Sequence, residues 1–507
     1  MSSAMTESPS RYADWKAPSQ DGELLVWPAP AQLRRQTLEN QRHLASCAVT
    51  LQQLPLHELR RRVRAFIGHD LDRPLVATGH QTELFHPGVW VKDVLIDTLA
   101  SALDGTALHL AVDTDQVKHL HLRWPGVSLP VSDDERLISA AWSALVDSPS
   151  PMHLRRLRER IDEDFPRLGV KPMLPEWLGQ MQRLSLEQSD LSRALTNAGH
   201  FVDWELGLRH HSLLASPLWS SDAFLVFAHH LVAHADRFAG DYNRALDDHR
   251  AATAGRDPNR PMPNLLVTAD SVELPLWLDD LRTGERSRPT AFRSDAGWTL
   301  TLVGGEEFVF DPALDADTAA ANLRTFLAST EHRLAPRALT LTTFMRMCVV
   351  DQFVHGIGGA RYDQVTDRLI HRHFGIEPPR FSVTTATLLF PTALQRERTC
   401  IPCVLHQGHR ALHDVLGERK RELVAAIATA PRRSRERQQL FFQMHRELKD
   451  RALETGLVEQ WRQRLDDARH RAMLEQDEFS RELFYVVQPR DRLEQMIERY
   501  RDLLASV

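Results

Sequence analysis

Cysteine is scarce in this chain, with four residues in 507. Two of them fall in Cys400-Ile-Pro-Cys403. That is too few for a disulfide framework, so a reducing compartment is the expectation. Long apolar runs are missing as well. No stretch reaches the ~20 residues of a membrane span, and Met1 to Gln20 has no apolar signal-peptide core. The expectation is a cytoplasmic protein with no membrane partner. Charge of one sign is also missing: Lys+Arg total 62 against Asp+Glu 68, a net −6. That balance removes the global basic field that a nucleic-acid partner would call for. No Gly-x-Ser-x-Gly nucleophile elbow and no Walker phosphate loop occurs, which argues against the commonest serine-hydrolase and P-loop chemistries.

What is present is the composition of a globular protein, 42% apolar and 26% charged, in a chain long enough for two or three domains. Residues 1–20 are small and polar and read as disordered. Residues 21–149 read as the first half of an α/β core. Residues 150–330 change to long helices up to about 255, a block closed off by Pro261 and Pro263, and then to short strands with a hairpin across Gly304-Gly305, and read as an inserted α+β segment. The sheet is expected to resume over 331–391, with an apolar strand in Leu339–Met347. Residues 392–507 read as a charged helical domain, a hairpin or short coiled coil whose narrow apolar stripe suits a homodimer contact.

The most informative stretch is 73–100. The apolar run Leu75–Ala77 has the length of a buried parallel strand. A polar loop follows, then a helix with Val91, Val94, Leu95, Thr98 and Leu99 on one face, then a second strand, Leu108–Val112. Ligands of open α/β sheets gather at the carboxyl ends of the strands, beside helix N-termini. Thr78, Gly79, His80, Gln81, His86 and Gly88 lie where such a site would be, with Lys92 on the helix. An imidazole or amide there can donate to phosphate oxygens, and a protonated His80 would stabilise developing charge. Helix capping is the plain alternative for the same side chains. Asp113 and Asp115 close the second strand and could hold a ribose, a metal or an amine, or simply make a strand-end turn. His355-Gly356-Ile357-Gly358-Gly359, with Arg361 and Tyr362 following, could bring backbone N–H groups close to an anion, or make a tight turn. Cys400, Cys403, His406 and His409 are a minor candidate for zinc. Cys47 and Cys348 read as core residues, and His230 and His234 as an ordinary helix face.

The run Ala77-Thr-Gly-His-Gln-Thr-Glu-Leu-Phe-His-Pro-Gly88, followed by Lys92, resembles the Thr-Gly-Gln-Gln-x-Gly-Leu-Phe signature and downstream lysine of the bacillithiol-biosynthesis cysteine-adding enzymes. Asp351-Gln-Phe-Val-His-Gly-Ile-Gly-Gly-Ala-Arg-Tyr-Asp363 is similar to a second block of that family. Order and spacing are kept over roughly 73–125 and 335–390. The chain departs from the pattern at His80, at His86-Pro-Gly, in lacking the family's proline and glutamate after His355, and in Asp113-Thr-Asp-Gln for Glu-Asp-His-Asp. The resemblance implies a Rossmann-like core with inserted segments and a dimerising helical hairpin. It also implies a ligase that joins the carboxyl group of cysteine to the amine of an amino-sugar acceptor. Because amide formation from a free carboxylate is uphill, a nucleotide (ATP or ADP) or another activated donor is implied. His80, His355 and the glycine loop would then contact phosphates or the activated carboxyl, Asp113 or Asp115 would orient the amine, and Lys92 would support the loop or pair with an anion. Two other classes fit the residues: a nucleotidyltransferase acting on another small substrate, and a non-catalytic scaffold that binds a protein through its C-terminal helices.

Overall fold

The computed structural model describes residues 15–187, 189–253, 262–395 and 397–505. Most of the stretch expected to be disordered (residues 1–14) and Pro261 lie outside the described residues. The fold is mixed α/β. The chain divides into two compact units: the larger takes the chain up to Leu122, Leu129–Leu388 and everything from Arg481 onward, and the smaller takes Arg123–Ser128 and Leu389–Ser480. The expected helical domain at 392–507 therefore gives up its last segment, because helix 490–505 buries Leu493, Met496, Ile497, Tyr500 and Leu504 within the larger unit.

The larger unit is built on a six-stranded sheet: β1 (Leu24–Trp27), β2 (Leu75–Gln81), β3 (Thr106–Val112), β4 (His211–Leu214), β5 (Gln352–His355) and β6 (Ser382–Ala386). Their order across the sheet is β1-β6-β5-β2-β3-β4. All neighbours run parallel except β1, which is antiparallel to β6. Five helices matter most for the site: α1 (Pro30–Ser46), α2 (Leu56–Phe66), α3 (Pro87–Ala102), α4 (Leu191–Glu205) and α5 (Ile357–Phe374). The segments around 73–125 and 335–390 thus share one sheet despite the intervening two hundred or so residues. Helices 222–233 and 235–253, a three-stranded sheet and a four-stranded sheet fill the region between them.

Two local expectations are corrected. The apolar run 339–350 is helical, an α-turn (Ala338–Phe344) followed by a π-turn (Met345–Val349), and the strand begins only at Gln352. Met345, Met347, Cys348 and Val349 are buried on every side, and a run without alternation reads the same as buried helix or buried strand. Likewise α3 is not amphipathic: it is buried nearly all round, because helix 490–505 and the Tyr485 segment cover its outer side.

The join between β5 and β2 rests on Asp351. Its carboxylate meets Arg60 Nη2 at 2.6 Å and Arg64 Nη2 at 2.7 Å, all three fully buried. Asp351 Oδ2 accepts from Leu75 N, and Asp351 N donates to Leu75 O, both at 2.8 Å. The same arginines donate to Met347 O and Val349 O, carbonyls that the end of the π-turn leaves unpaired. Alongside, Gln36 and Asn40 of α1 donate to Gln352 Oε1 and to the carbonyls of Phe381, Asp351 and Arg380. Polar residues of α1 and α2 therefore hold the amino ends of β2, β5 and β6 in register.

The smaller unit carries four helices, 401–414, 418–429, 435–454 and 457–478. The first two are separated at Gly417, whose φ of 51° is left-handed. Leu423, Met444 and Leu448 form its buried cluster.

Removing one partner of a buried ion pair strands the other charges. Asp351→Ala is expected to destabilise the larger unit by about 3–5 kcal/mol, read as a large drop in the urea midpoint of its unfolding. Exposed Asp147→Ala should leave that midpoint unchanged.

Candidate functional site

The carboxyl ends of β5, β2 and β3 lie side by side, and the register fixes what they present. Val354 pairs with Thr78, and Thr78 pairs with His109. One residue further on come His355 and Gly79, then His80 opposite Ala111. Side chains alternate between faces along a strand, so His80 and His109 share the α3 face and His355 points to the opposite one. His355 lies against Phe353 and Phe381 instead.

Several of the candidate residues build this edge. Thr78 Oγ1 donates to Val354 O at 2.8 Å, tying β2 to β5. Lys92 Nζ donates to Gly79 O at 3.0 Å from the first turns of α3. His86 caps α3, its Nδ1 accepting from Gly88 N at 3.1 Å, and Pro87 fits the first helical position because its missing N–H would be unpaired there. A Cβ on Gly88 would stand 2.6 Å from Thr385 Oγ1 and 2.9 Å from Ala386 O, so only glycine lets α3 begin against β6. Arg481 fills the remaining gap, donating to the same two oxygens, while Tyr485 N donates to Phe85 O at 2.7 Å. The returning C-terminal segment thereby pins the 82–86 loop, His80 and Gln81 being the last residues of β2.

The remaining polar groups at the edge include His80, with Glu83 Oε1 3.5 Å from its Nδ1, Gln81, Asp115 and His355. His80 is a quarter exposed; burial, with the Lys92 charge adding to it, holds its imidazole well below the usual 6.5. It is therefore neutral at physiological pH, not the protonated donor expected from sequence. Gln81 Nε2 donates to Asp115 Oδ2 at 2.9 Å, and Arg286 Nη1 stands 3.7 Å from the other oxygen of Asp115. Asp113 differs from Asp115: it is buried, and its two oxygens accept from Ser216 N and Ser216 Oγ. His355 Nε2 meets Asp363 Oδ2 at 2.8 Å, and Arg346 meets the same oxygen at 2.7 Å. Burial pushes Asp363 up, but Arg346 and His355 outweigh it and keep the carboxyl ionised. Gly356 is the N-cap of α5, so Gly358 and Gly359 sit in the first turn of that helix. A Cβ on Gly359 would come 2.8 Å from His355 Nδ1. Arg361 donates to Trp15 O at 2.9 Å, and Tyr362 follows it on α5.

Beneath His80, on the same face, is a cluster that sequence reasoning missed. The rings of His80, Phe85, His109, His210 and His200 follow one another at centroid distances of 5.1, 5.6, 6.3 and 5.2 Å. His109 Nδ1 meets Asp93 Oδ1 at 2.6 Å. Asp203 Oδ1 accepts from Trp90 Nε1 at 2.8 Å and from Tyr485 Oη at 3.1 Å. The two carboxyls are driven apart. Burial raises Asp93, but His109 more than offsets it, so Asp93 stays ionised. Burial and the Asp93 charge together push Asp203 well up. Burial lowers His210 to about 3. These groups line a cavity of about 30 Å³ between α3, α4 and the Tyr485 segment. One signal was available: His109 is a titratable residue inside an otherwise apolar strand.

The sulfurs of Cys400 and Cys403 are joined in a disulfide, so this pair presents no thiolates to zinc. His406 and His409 lie on the helix that follows, with His409 against Trp461. Among the described residues no group of three or more His, Cys, Asp or Glu is arranged to hold a metal. Nor is any helix among them long and apolar enough to cross a membrane. Compared with models of protein families and with curated proteins, the chain gives no match.

Lys92 makes the electrostatics of the edge measurable. Burial lowers it from 10.5 to about 8. The unfolded chain then binds more protons than the native one between pH 8 and 10.5, so Lys92 makes stability rise with pH across that window. The chain has only six lysines, at 16, 92, 118, 171, 420 and 449. NMR of methyl-labelled lysines is expected to show a resonance titrating near pH 8 that is lost in Lys92→Arg.

Proposed function

We propose that the chain is a ligase-like enzyme that joins an amino acid, cysteine in the first instance, through its carboxyl group to the amine of a small amino-sugar-type acceptor. On this reading it is a divergent member of the bacillithiol-biosynthesis cysteine-adding enzymes, with a Rossmann-like core, acting in the cytoplasm as a homodimer joined through its C-terminal helices. The observation that carries the reading is the convergence of His355, His80, Gln81 and Asp115 at three adjacent parallel strand ends, beside the N-termini of α3 and α5. That is where an open α/β sheet can receive an anion and a polar substrate together.

The opposite facing of His80 and His355 limits the pose. A ligand that touches both must lie across the strand ends, over Gly79, and not against either face of the sheet. The first-turn N–H groups of α5, at Gly358 and Gly359, suit the phosphates of ATP or the phosphoryl group of an activated carboxyl. An amine must lose a proton as it attacks. Neutral His80 can accept that proton, a role closed to an imidazolium. Asp115, partly exposed between Gln81 and Arg286, is the carboxylate within reach of the amine, since Asp113 is buried against Ser216. Lys92 supports the loop through Gly79 O and keeps the field near His80 positive.

His80→Ala is expected to lower turnover by about a hundredfold or more with an unchanged melting temperature, since a partly exposed ring opens no core cavity. Asp115→Asn is expected to raise KM for the amine and to spare nucleotide binding. The assays are ATP and ADP binding by calorimetry and product formation from cysteine and an amino-sugar acceptor. If His80→Ala keeps turnover and binding within about a factor of two of wild type, the reading is wrong.

A further inference from the structure

The Cys400–Cys403 bond has features of a reactive disulfide and few of a structural one. It joins residues three apart at the start of a single helix, 401–414. A cross-link stabilises by restricting the unfolded chain, and it does so least when the loop it closes is short. The helix start is held independently: Thr399 N and Thr399 Oγ1 donate to the two oxygens of Glu475 at 2.7 and 2.5 Å. Both cysteines are exposed. Cys400 is the N-cap, and its Sγ accepts from Cys403 N at 3.2 Å. That hydrogen bond and the helix dipole would favour a thiolate at Cys400 once the bond is open. The other two cysteines behave differently: Cys348 is buried, with burial pushing its thiol up to about 12, and Cys47 is half-buried.

We propose that Cys400 and Cys403 form a thiol–disulfide exchange site, open to low-molecular-weight thiols and their disulfides. This inference does not rest on the ligase reading. In the reducing direction, the thiolate of a small thiol attacks the protein disulfide, and one cysteine leaves as a thiolate. A second small thiol resolves the mixed disulfide. The products are the protein dithiol and one small disulfide, and two electrons pass from the two thiols to the protein. Oxidation is the reverse. The Cys400 thiolate attacks a small disulfide and expels one thiolate, and Cys403 then displaces the second. Cys400 is the reacting sulfur at the helix terminus, and Cys403 is the resolving one.

The test uses the full-length chain with reduced and oxidised glutathione as probes. After quenching with a maleimide, mass spectrometry counts the free thiols at 400 and 403. The expected result is full interconversion between no tags and two tags on this pair as the glutathione ratio changes, with Cys47 and Cys348 unaltered. Cys403→Ser should capture one glutathione at Cys400 about tenfold or more faster than Cys400→Ser captures one at Cys403. Reduced wild type and the double serine variant should melt with oxidised wild type. The proposal is overturned by a pair that does not follow the glutathione ratio, by equal or reversed capture rates in the single variants, or by a reduced chain that melts well below the oxidised one.

Discussion

A single buried carboxylate sets the geometry on which everything at the sheet's carboxyl edge depends. Asp351 sits one residue before β5, neutralised by two arginines of α2 and hydrogen-bonded to both the N–H and C=O of Leu75. Three buried charges of unequal sign are costly unless each finds partners, and here the excess guanidinium donors are spent on carbonyls at the end of the π-turn. The arrangement therefore tolerates little slippage. A shift of one residue between β2 and β5 would turn every side chain to the other face. It would bring His355 to the α3 side and separate it from Asp363 and Arg346.

The far edge shows a second constraint, which is local charge. Burial depresses His80, His86 and Lys92; neighbouring cations push the two histidines the same way, whereas Asp93 and Glu83 oppose it at Lys92. For His86 this preserves the helix cap, because only a neutral ring nitrogen can accept from Gly88 N. For His80 it leaves a neutral ring beside a positively charged lysine. The C-terminal segment maintains that burial: Arg481 closes the gap at Gly88, and Tyr485 holds Phe85 and Asp203. A segment about four hundred residues downstream thus contributes, through Arg481, to the lowering of His86.

The strand–loop–helix–strand unit at 73–115 was legible in the sequence because its elements are short, bounded by Gly and Pro, and in direct succession. The partnership of that unit with 352–386 was legible from polar residues at matching strand ends. The strand β5 itself was misplaced by several residues, since Phe344–Val350 is apolar but for Arg346 and alternation is the only local clue to a strand. The buried role of the α2 arginines was not legible. Nothing in their spacing distinguishes a surface i,i+4 pair from one that neutralises a buried aspartate three hundred residues away. Gly88 was legible as a loop glycine, but its reason, the approach of Thr385 and Ala386, is tertiary.

The candidate site was legible along the strand ends and not beneath them. Gln81 with Asp115 and His355 with Asp363 each unite residues whose neighbourhoods attract notice in sequence. Asp93, His109, Asp203 and Tyr485 do not, because four separate elements supply them. Their arrangement still has a direct consequence for the edge. Asp93 is lowered by His109 while burial and the Asp93 charge raise Asp203, so two carboxyls of divergent acidity lie under the same face as His80, next to the rings of Phe85 and His109. Two carboxyls with environments that drive their protonation apart are the usual basis for dividing acid and base roles. Asp93 also fixes His109 by its Nδ1, leaving Nε2 as the nitrogen available to the cavity. The polar cluster thus lies as a buried floor beneath the candidate site, and β3 joins floor to rim, carrying His109 in its middle and leading directly into Asp113 and Asp115.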